Sequence, residues 1–89
     1  MILRLTPRFQ KAFEKLPKSV QAQAKTAYQL WRRNSAHPSL RFKPIPGIPN
    51  VYAVRISIGW RALGVVNGNE ISWFWIGSHE EYNKLLKRL

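Results

Sequence analysis

Val51-Tyr52-Ala53-Val54-Arg55-Ile56-Ser57-Ile58-Gly59-Trp60-Arg61-Ala62-Leu63 reads as two β-strands joined by a tight turn. The register across that turn decides the fold and the chemistry it can carry. β-Branched and aromatic residues fill both arms, and Ser57-Ile58-Gly59 interrupts them. A three-residue loop, a type I turn followed by glycine in the left-handed position, puts Gly59 where a side chain is unwelcome. Residues 56 and 60 then close the loop, and Arg55 lies opposite Arg61. A two-residue loop shifts the pairing by one and sends the arginines to opposite faces. The three-residue loop is preferred because it gathers Tyr52, Val54, Ile56, Trp60, Ala62, Ile71, Trp73 and Trp75 on one buried face.

Like charges facing each other across a strand pair repel. The chain contains no Asp, so the facing Arg55 and Arg61 read as a site for an oxyanion. The structural alternatives are guanidiniums splayed into water or paired with Glu80 or Glu81.

Outward from this hairpin, strands are expected over residues 51–57, 60–66 and 70–76, with Asn67-Gly68 as the turn between the last two. Gly77-Ser78 stops the sheet, and Ser78-His79-Glu80-Glu81 has capping-box spacing. Tyr82, Leu85, Leu86 and Leu89 then form one apolar stripe of a closing helix. On the other side, Ile2-Leu3-Arg4-Leu5 is a short strand, and Thr6-Pro7 caps a helix carrying Phe9, Ala12, Phe13 and Leu16 on one face. Pro17 ends that helix. A second helix spans residues 18–33, with Val20, Ala24, Ala27, Tyr28 and Trp31 inward. A strand near residues 40–43 precedes a proline-rich loop to about residue 50. The order is β-α-α-β-β-β-β-α, an α+β domain over residues 1–89 in which a helical hairpin packs on an antiparallel sheet.

The 89 residues allow one core. A 45% hydrophobic fraction excludes disorder, and the absence of cysteine excludes disulfides and thiolate metal sites. No apolar run approaches a membrane span, and the opening heptapeptide lacks a signal-peptide core, so a cytoplasmic protein is expected. Fifteen Lys and Arg against four Glu give a net charge of +11, and no acid stands between Glu14 and Glu70. Such an excess calls for a polyanionic partner, nucleic acid first and an acidic protein second.

His79 opens the last helix, where free N–H groups welcome phosphate and an imidazole can exchange a proton near neutral pH. With Phe74 and Ile76 on the face of Arg61, His79 emerges near that arginine; the alternative is a polar helix start facing water. Tyr82 lies on the apolar stripe, with packing as its default role, and Glu81 reads as the capping carboxylate. Arg41 and Lys43 alternate on one strand face and either extend the basic surface or form a solvated edge. Trp31, Trp60, Trp73 and Trp75 read as core, and Phe74 is the first candidate for stacking on a nucleotide. There is no Walker loop, no GxGxxG, no nucleophile elbow and no paired-histidine motif. Chemistry on an anion without metal or cofactor is what remains.

Residues 51–63, together with Trp73-Phe74-Trp75-Ile76-Gly77-Ser78-His79-Glu80-Glu81-Tyr82, resemble the RelE/ParE superfamily of toxins from bacterial toxin–antitoxin operons, and the likeness extends over the whole chain. The resemblance implies a sheet wrapped on a helical hairpin with a concave basic face, and one of two activities. RelE-like members cleave mRNA in the ribosomal A site without metal; ParE-like members inhibit DNA gyrase. In the favoured RelE-like reading, Arg61, Arg55, His79 and Tyr82 are catalytic, and Arg41, Lys43 and Phe74 hold RNA. The 2′-hydroxyl attacks phosphorus, the arginines stabilise the added charge, and His79 moves the proton, with Tyr82, Lys43 or Glu80 as its partner. The implied partners are mRNA on the ribosome and a cognate antitoxin, in a hetero-oligomer with the toxin. Two departures stand out. Ala53-Val54-Arg55 keeps only the second residue of the family's basic pair, and the family's C-terminal tyrosine corresponds more nearly to Leu85 than to Tyr82.

Overall fold

A computed structural model describes residues 2–88. Thr6 caps the first helix by accepting a hydrogen bond from the Phe9 N–H at 3.1 Å, and Pro7 fills the first helical position. Helix α1 (Pro7–Glu14) stops before Pro17, and α2 (Lys18–Arg33) starts directly after it. The Gln21 amide binds the corner between them by donating to the carbonyls of Leu16 at 3.0 Å and Phe13 at 3.2 Å. The Phe13 carbonyl, at the end of α1, also accepts from the Leu16 N–H at 3.1 Å, so the amide adds to the cap that closes this helix.

Strands β1 (Ile2–Leu5), β2 (Lys43–Pro44), β3 (Val51–Ser57), β4 (Trp60–Asn67) and β5 (Glu70–Ser78) form one sheet in the order β1-β5-β4-β3-β2. The sheet is mixed rather than wholly antiparallel, because β1 runs parallel to β5. The helical hairpin covers one face, over a core of Phe9, Trp31, Val54, Ala62, Ile71, Trp73 and Ile76. The other face carries Ala53 and Leu63, covered by Tyr82 of α3 (His79–Lys87) and by Ile45. Leu89, expected to end the stripe of that helix, lies outside the described residues.

Four local expectations need correction. The β3–β4 loop has two central residues, since Ser57 pairs with Trp60, and Gly59 does not have a positive φ. A bulge between Arg55 and Ser57 supplies the missing residue, so Arg55 still pairs with Arg61. The next hairpin turns on Gly68-Asn69 rather than Asn67-Gly68: Asn67 pairs with Glu70, and Gly68 takes φ +61°. A second irregularity pairs Leu63 with Trp75 but Gly64 with Trp73, leaving Phe74 as the extra residue. Trp75 therefore packs on the Tyr82 face and Ile76 in the helical-hairpin core, the reverse of the expected assignment. Finally, no strand covers residues 40–42. Pro38–Leu40 is a 3-10 turn, Arg41 sits in the left-handed region at φ 47°, and β2 is only Lys43–Pro44.

Candidate anion site on the open sheet face

Directly paired residues project to one face of a sheet, so Arg55 and Arg61 stand together on the face of Ala53 and Leu63. Among the described residues no carboxylate neutralises them. Among the described residues the one ion pair joins Arg4 to Glu70, at the far end of β5 from the arginines.

Arg61 is held by its own turn. Its Nη1 donates to the Ser57 carbonyl at 2.6 Å and the Trp60 carbonyl at 2.9 Å, with the Ile58 carbonyl at 3.4 Å. Nη1 carries two hydrogens, and the two short contacts use them. Nη2 and Nε make no hydrogen bond among the described residues, which leaves an oriented fork of donors for a phosphate. Burial pushes the Arg61 pKa down, and the charges of Arg55 and then Arg41 push the same way. The guanidinium stays charged at neutral pH, in surroundings that an incoming anion would relieve.

Helix α3 begins at the same turn. The His79 N–H donates to the Gly59 carbonyl at 2.8 Å, which ties the helix start to the loop that Arg61 clasps. The exposed His79 ring stacks on Tyr82, with centroids 6.4 Å apart and planes 24° apart, and Asn83 Nδ2 lies 3.4 Å from Nε2. Burial raises the Tyr82 pKa and Arg61 opposes it, so the hydroxyl keeps its proton at neutral pH.

Ser78 and Glu81 complete the capping box: the Ser78 N–H donates to Glu81 Oε1 at 3.0 Å, and the Glu81 N–H donates to Ser78 Oγ at 3.1 Å. Hydrogen bonds from Ser78, backbone first, hold the Glu81 carboxyl below its ordinary range. A folded-state pKa below the unfolded one gives stability that is complete above the ordinary carboxylate range and fades as pH falls through the folded value. In acid melting curves, Glu81→Gln should therefore lose less stability than wild type as pH drops. Ser78→Ala should cost about 1 kcal/mol at neutral pH, read by urea unfolding.

The remaining candidates occupy different settings. Lys43 pairs with Ala53 and so shares the arginine face, exposed. Phe74 is on that face too, but it packs half-buried against the cluster of Tyr82, Leu63 and Ile45. Arg41 does not alternate with Lys43 on a strand; its left-handed backbone follows the 3-10 turn, and its charge is felt at Arg61. That conformation costs a non-glycine residue about 1 kcal/mol, and glycine's greater freedom in the unfolded chain costs a similar amount. Arg41→Gly should thus leave unfolding free energy within about 1 kcal/mol of wild type.

A cavity of about 510 Å³ lies on the opposite side, between the helical hairpin and the sheet. Leu5, Phe9, Phe13, Tyr28 and Trp31 line it, and its apolar wall suits no anion. Among the described residues, no three of His, Cys, Asp and Glu come together as a metal-ligand set, and no helix is long and apolar enough to cross a membrane.

A family model described as the ParE-like toxin domain matches residues 18–84. No curated protein sequence matches the chain. Among solved structures, the chain is similar to one from the RelB–RelE antitoxin–toxin complex of Methanococcus jannaschii, at 18% identity and TM-score 0.74, covering 92% of this chain and 96% of that one. The YoeB/ParE toxin from Agrobacterium tumefaciens superposes with TM-score 0.70 at 15% identity, covering 89% and 99%. The isolated E. coli RelE toxin gives 0.67 at 22% identity, covering 98% and 96%. At these identities the likeness is one of fold.

Proposed function

The chain belongs to the ParE-like toxin domain family, and from that premise we propose that it is the toxin of a toxin–antitoxin pair and cleaves mRNA on the ribosome by metal-free transesterification. The observation that carries this reading is the unneutralised Arg55–Arg61 pair beside the His79 end of α3. In the reaction, O2′ of one nucleotide attacks the adjacent phosphorus as His79 takes its proton. The P–O5′ bond breaks, its electron pair leaves with O5′, and the Tyr82 hydroxyl supplies the proton that O5′ needs. The products are a 2′,3′-cyclic phosphate and a 5′-hydroxyl, with no water consumed. Arg61, with its donors pre-aimed, and Arg55 stabilise the extra charge on the pentacoordinate phosphorus. Arg41 and Lys43 extend the cationic track for the RNA backbone, and Phe74 supports the face from beneath.

The partner that silences the toxin is an antitoxin with an acidic and apolar segment laid over the arginine face. The M. jannaschii structure is that of such a toxin with its RelB antitoxin. A second reading, inhibition of DNA gyrase without nuclease activity, draws on the ParE-like description of the family. Primer extension on ribosome-bound mRNA and a supercoiling assay with purified gyrase separate the two. Discrete new 5′ ends with intact supercoiling support the nuclease; blocked supercoiling with uncut mRNA overturns it.

A further inference from the structure

Ile58 is 81% exposed at the tip of the β3–β4 turn, while the next most exposed large apolar residue among those described, Ile2, is 56% exposed. Single exposed apolar residues are ordinary on protein surfaces. Ile58 differs in how it is held. The turn closes on the Ser57–Trp60 pair next to a bulge. Arg61 Nη1 clasps the carbonyls of Ser57 and Trp60, with that of Ile58 at 3.4 Å, and the Gly59 carbonyl accepts from the His79 N–H. An isoleucine is thus fixed in water by the two residues, Arg61 and His79, assigned to the chemistry.

We propose that Ile58 is a wedge that enters a base step of single-stranded RNA and unstacks the two nucleotides flanking the bound phosphate. This rests on the RNA-cleaving reading above. Transesterification needs O2′ in line with the P–O5′ bond, and stacked, A-form geometry keeps it out of line. An apolar side chain pushed between bases while cations grip the backbone is a known way to open a step. The surroundings favour a nucleic acid over a protein as the occupant. The knob is one side chain, flanked by Ser57 and Gly59 and backed by Arg55 and Arg61. That is too little apolar surface to anchor a protein interface, yet enough for one base step.

The test uses the full chain and a short non-cleavable RNA with one 2-aminopurine, whose emission rises when it unstacks. Wild-type protein should raise that emission about two- to threefold at saturation, as expected for losing one stacking partner. Ile58→Ala should bind with affinity within about threefold of wild type, because phosphate contacts dominate, and leave the emission flat. On ribosome-bound mRNA the same variant should lower kcat with little change in KM. Ile58→Ser should behave as Ile58→Ala in each assay, and melting curves matching wild type would show that both variants are folded. If Ile58→Ala raises emission as much as wild type, the wedge is wrong although RNA binding stands. The wedge is equally wrong if Ile58→Ala instead loses affinity for the antitoxin while unstacking persists. Wild type that binds no RNA and cuts no mRNA overturns the wedge together with the nuclease reading.

Discussion

Arg61→Ala should lower cleavage of ribosome-bound mRNA about 100- to 1,000-fold, equivalent to about 3–4 kcal/mol of transition-state stabilisation. The size follows from preorganisation. Two hydrogens of Nη1 are committed to the Ser57 and Trp60 carbonyls, so the Nη2 and Nε donors need no reordering when phosphorus gains charge. Arg61→Lys should recover little, because one ammonium cannot clasp both carbonyls and also offer a planar fork. Arg55 makes no hydrogen bond among the described residues, so it supplies charge without fixed direction. Its replacement by alanine should cost about tenfold, equivalent to about 1.4 kcal/mol, less than the loss of a donor already held in place. Folding should change little in Arg61→Ala: losing the turn's hydrogen bonds costs about 1 kcal/mol, and removing the repulsion from Arg55 returns part of it. Single-turnover primer extension beside urea unfolding separates the two effects. An Arg61→Ala protein that cuts at the wild-type rate would remove the oxyanion proposal.

Much of this site is legible in the sequence, although not always for the reason first suggested. The Arg55–Arg61 pairing is a case where two departures cancel. A three-residue loop with left-handed Gly59 is expected; a two-residue turn with an adjacent bulge is present, and both restore the same register. Side-chain period fixes which faces agree, but a bulge adds a residue without announcing itself in the pattern. The same blindness misplaces Trp75 and Ile76, since nothing in Trp73-Phe74-Trp75-Ile76 tells which residue is extra. Gly64 is a clue in hindsight. A Cβ there would come within 2.8 Å of the Trp73 ring, so glycine is what lets that indole lie across β4 at the irregularity.

Local rules succeed where the interaction is local. Thr6-Pro7 and Ser78-x-x-Glu81 specify their helix starts through side chains three residues apart. They fail around Arg41, because Pro38 favours a 3-10 start and the alternation of Leu40, Arg41, Phe42 and Lys43 looks like a strand without being one. No sequence signal reveals the His79 N–H to Gly59 carbonyl bond, which is a main-chain contact between segments distant in sequence. Gly77, paired with Arg61, also becomes meaningful only in three dimensions. The Trp75 ring lies over it, within 2.7 Å of where a Cβ would stand, and Glu81 Oε1 is 3.2 Å away.

That main-chain bond gives the second large effect its interpretation. His79→Ala should reduce cleavage about 100- to 10,000-fold, the range for losing a positioned proton acceptor. The helix should be untouched, because the bond to Gly59 uses the backbone N–H and the capping box uses Ser78 and Glu81; neither needs the imidazole. A purely structural role predicts a shifted melting temperature, whereas a proton-transfer role predicts rescue. Free imidazole should restore a measurable part of the His79→Ala rate in a concentration-dependent way and leave Arg61→Ala unchanged, since that variant keeps its base. His79→Gln, which retains hydrogen bonding without basicity, should be as slow as alanine and equally rescuable. Normal cutting by His79→Gln would move the proton acceptor elsewhere, to Glu80 or Lys43, and leave His79 as a helix-start residue stacked on Tyr82.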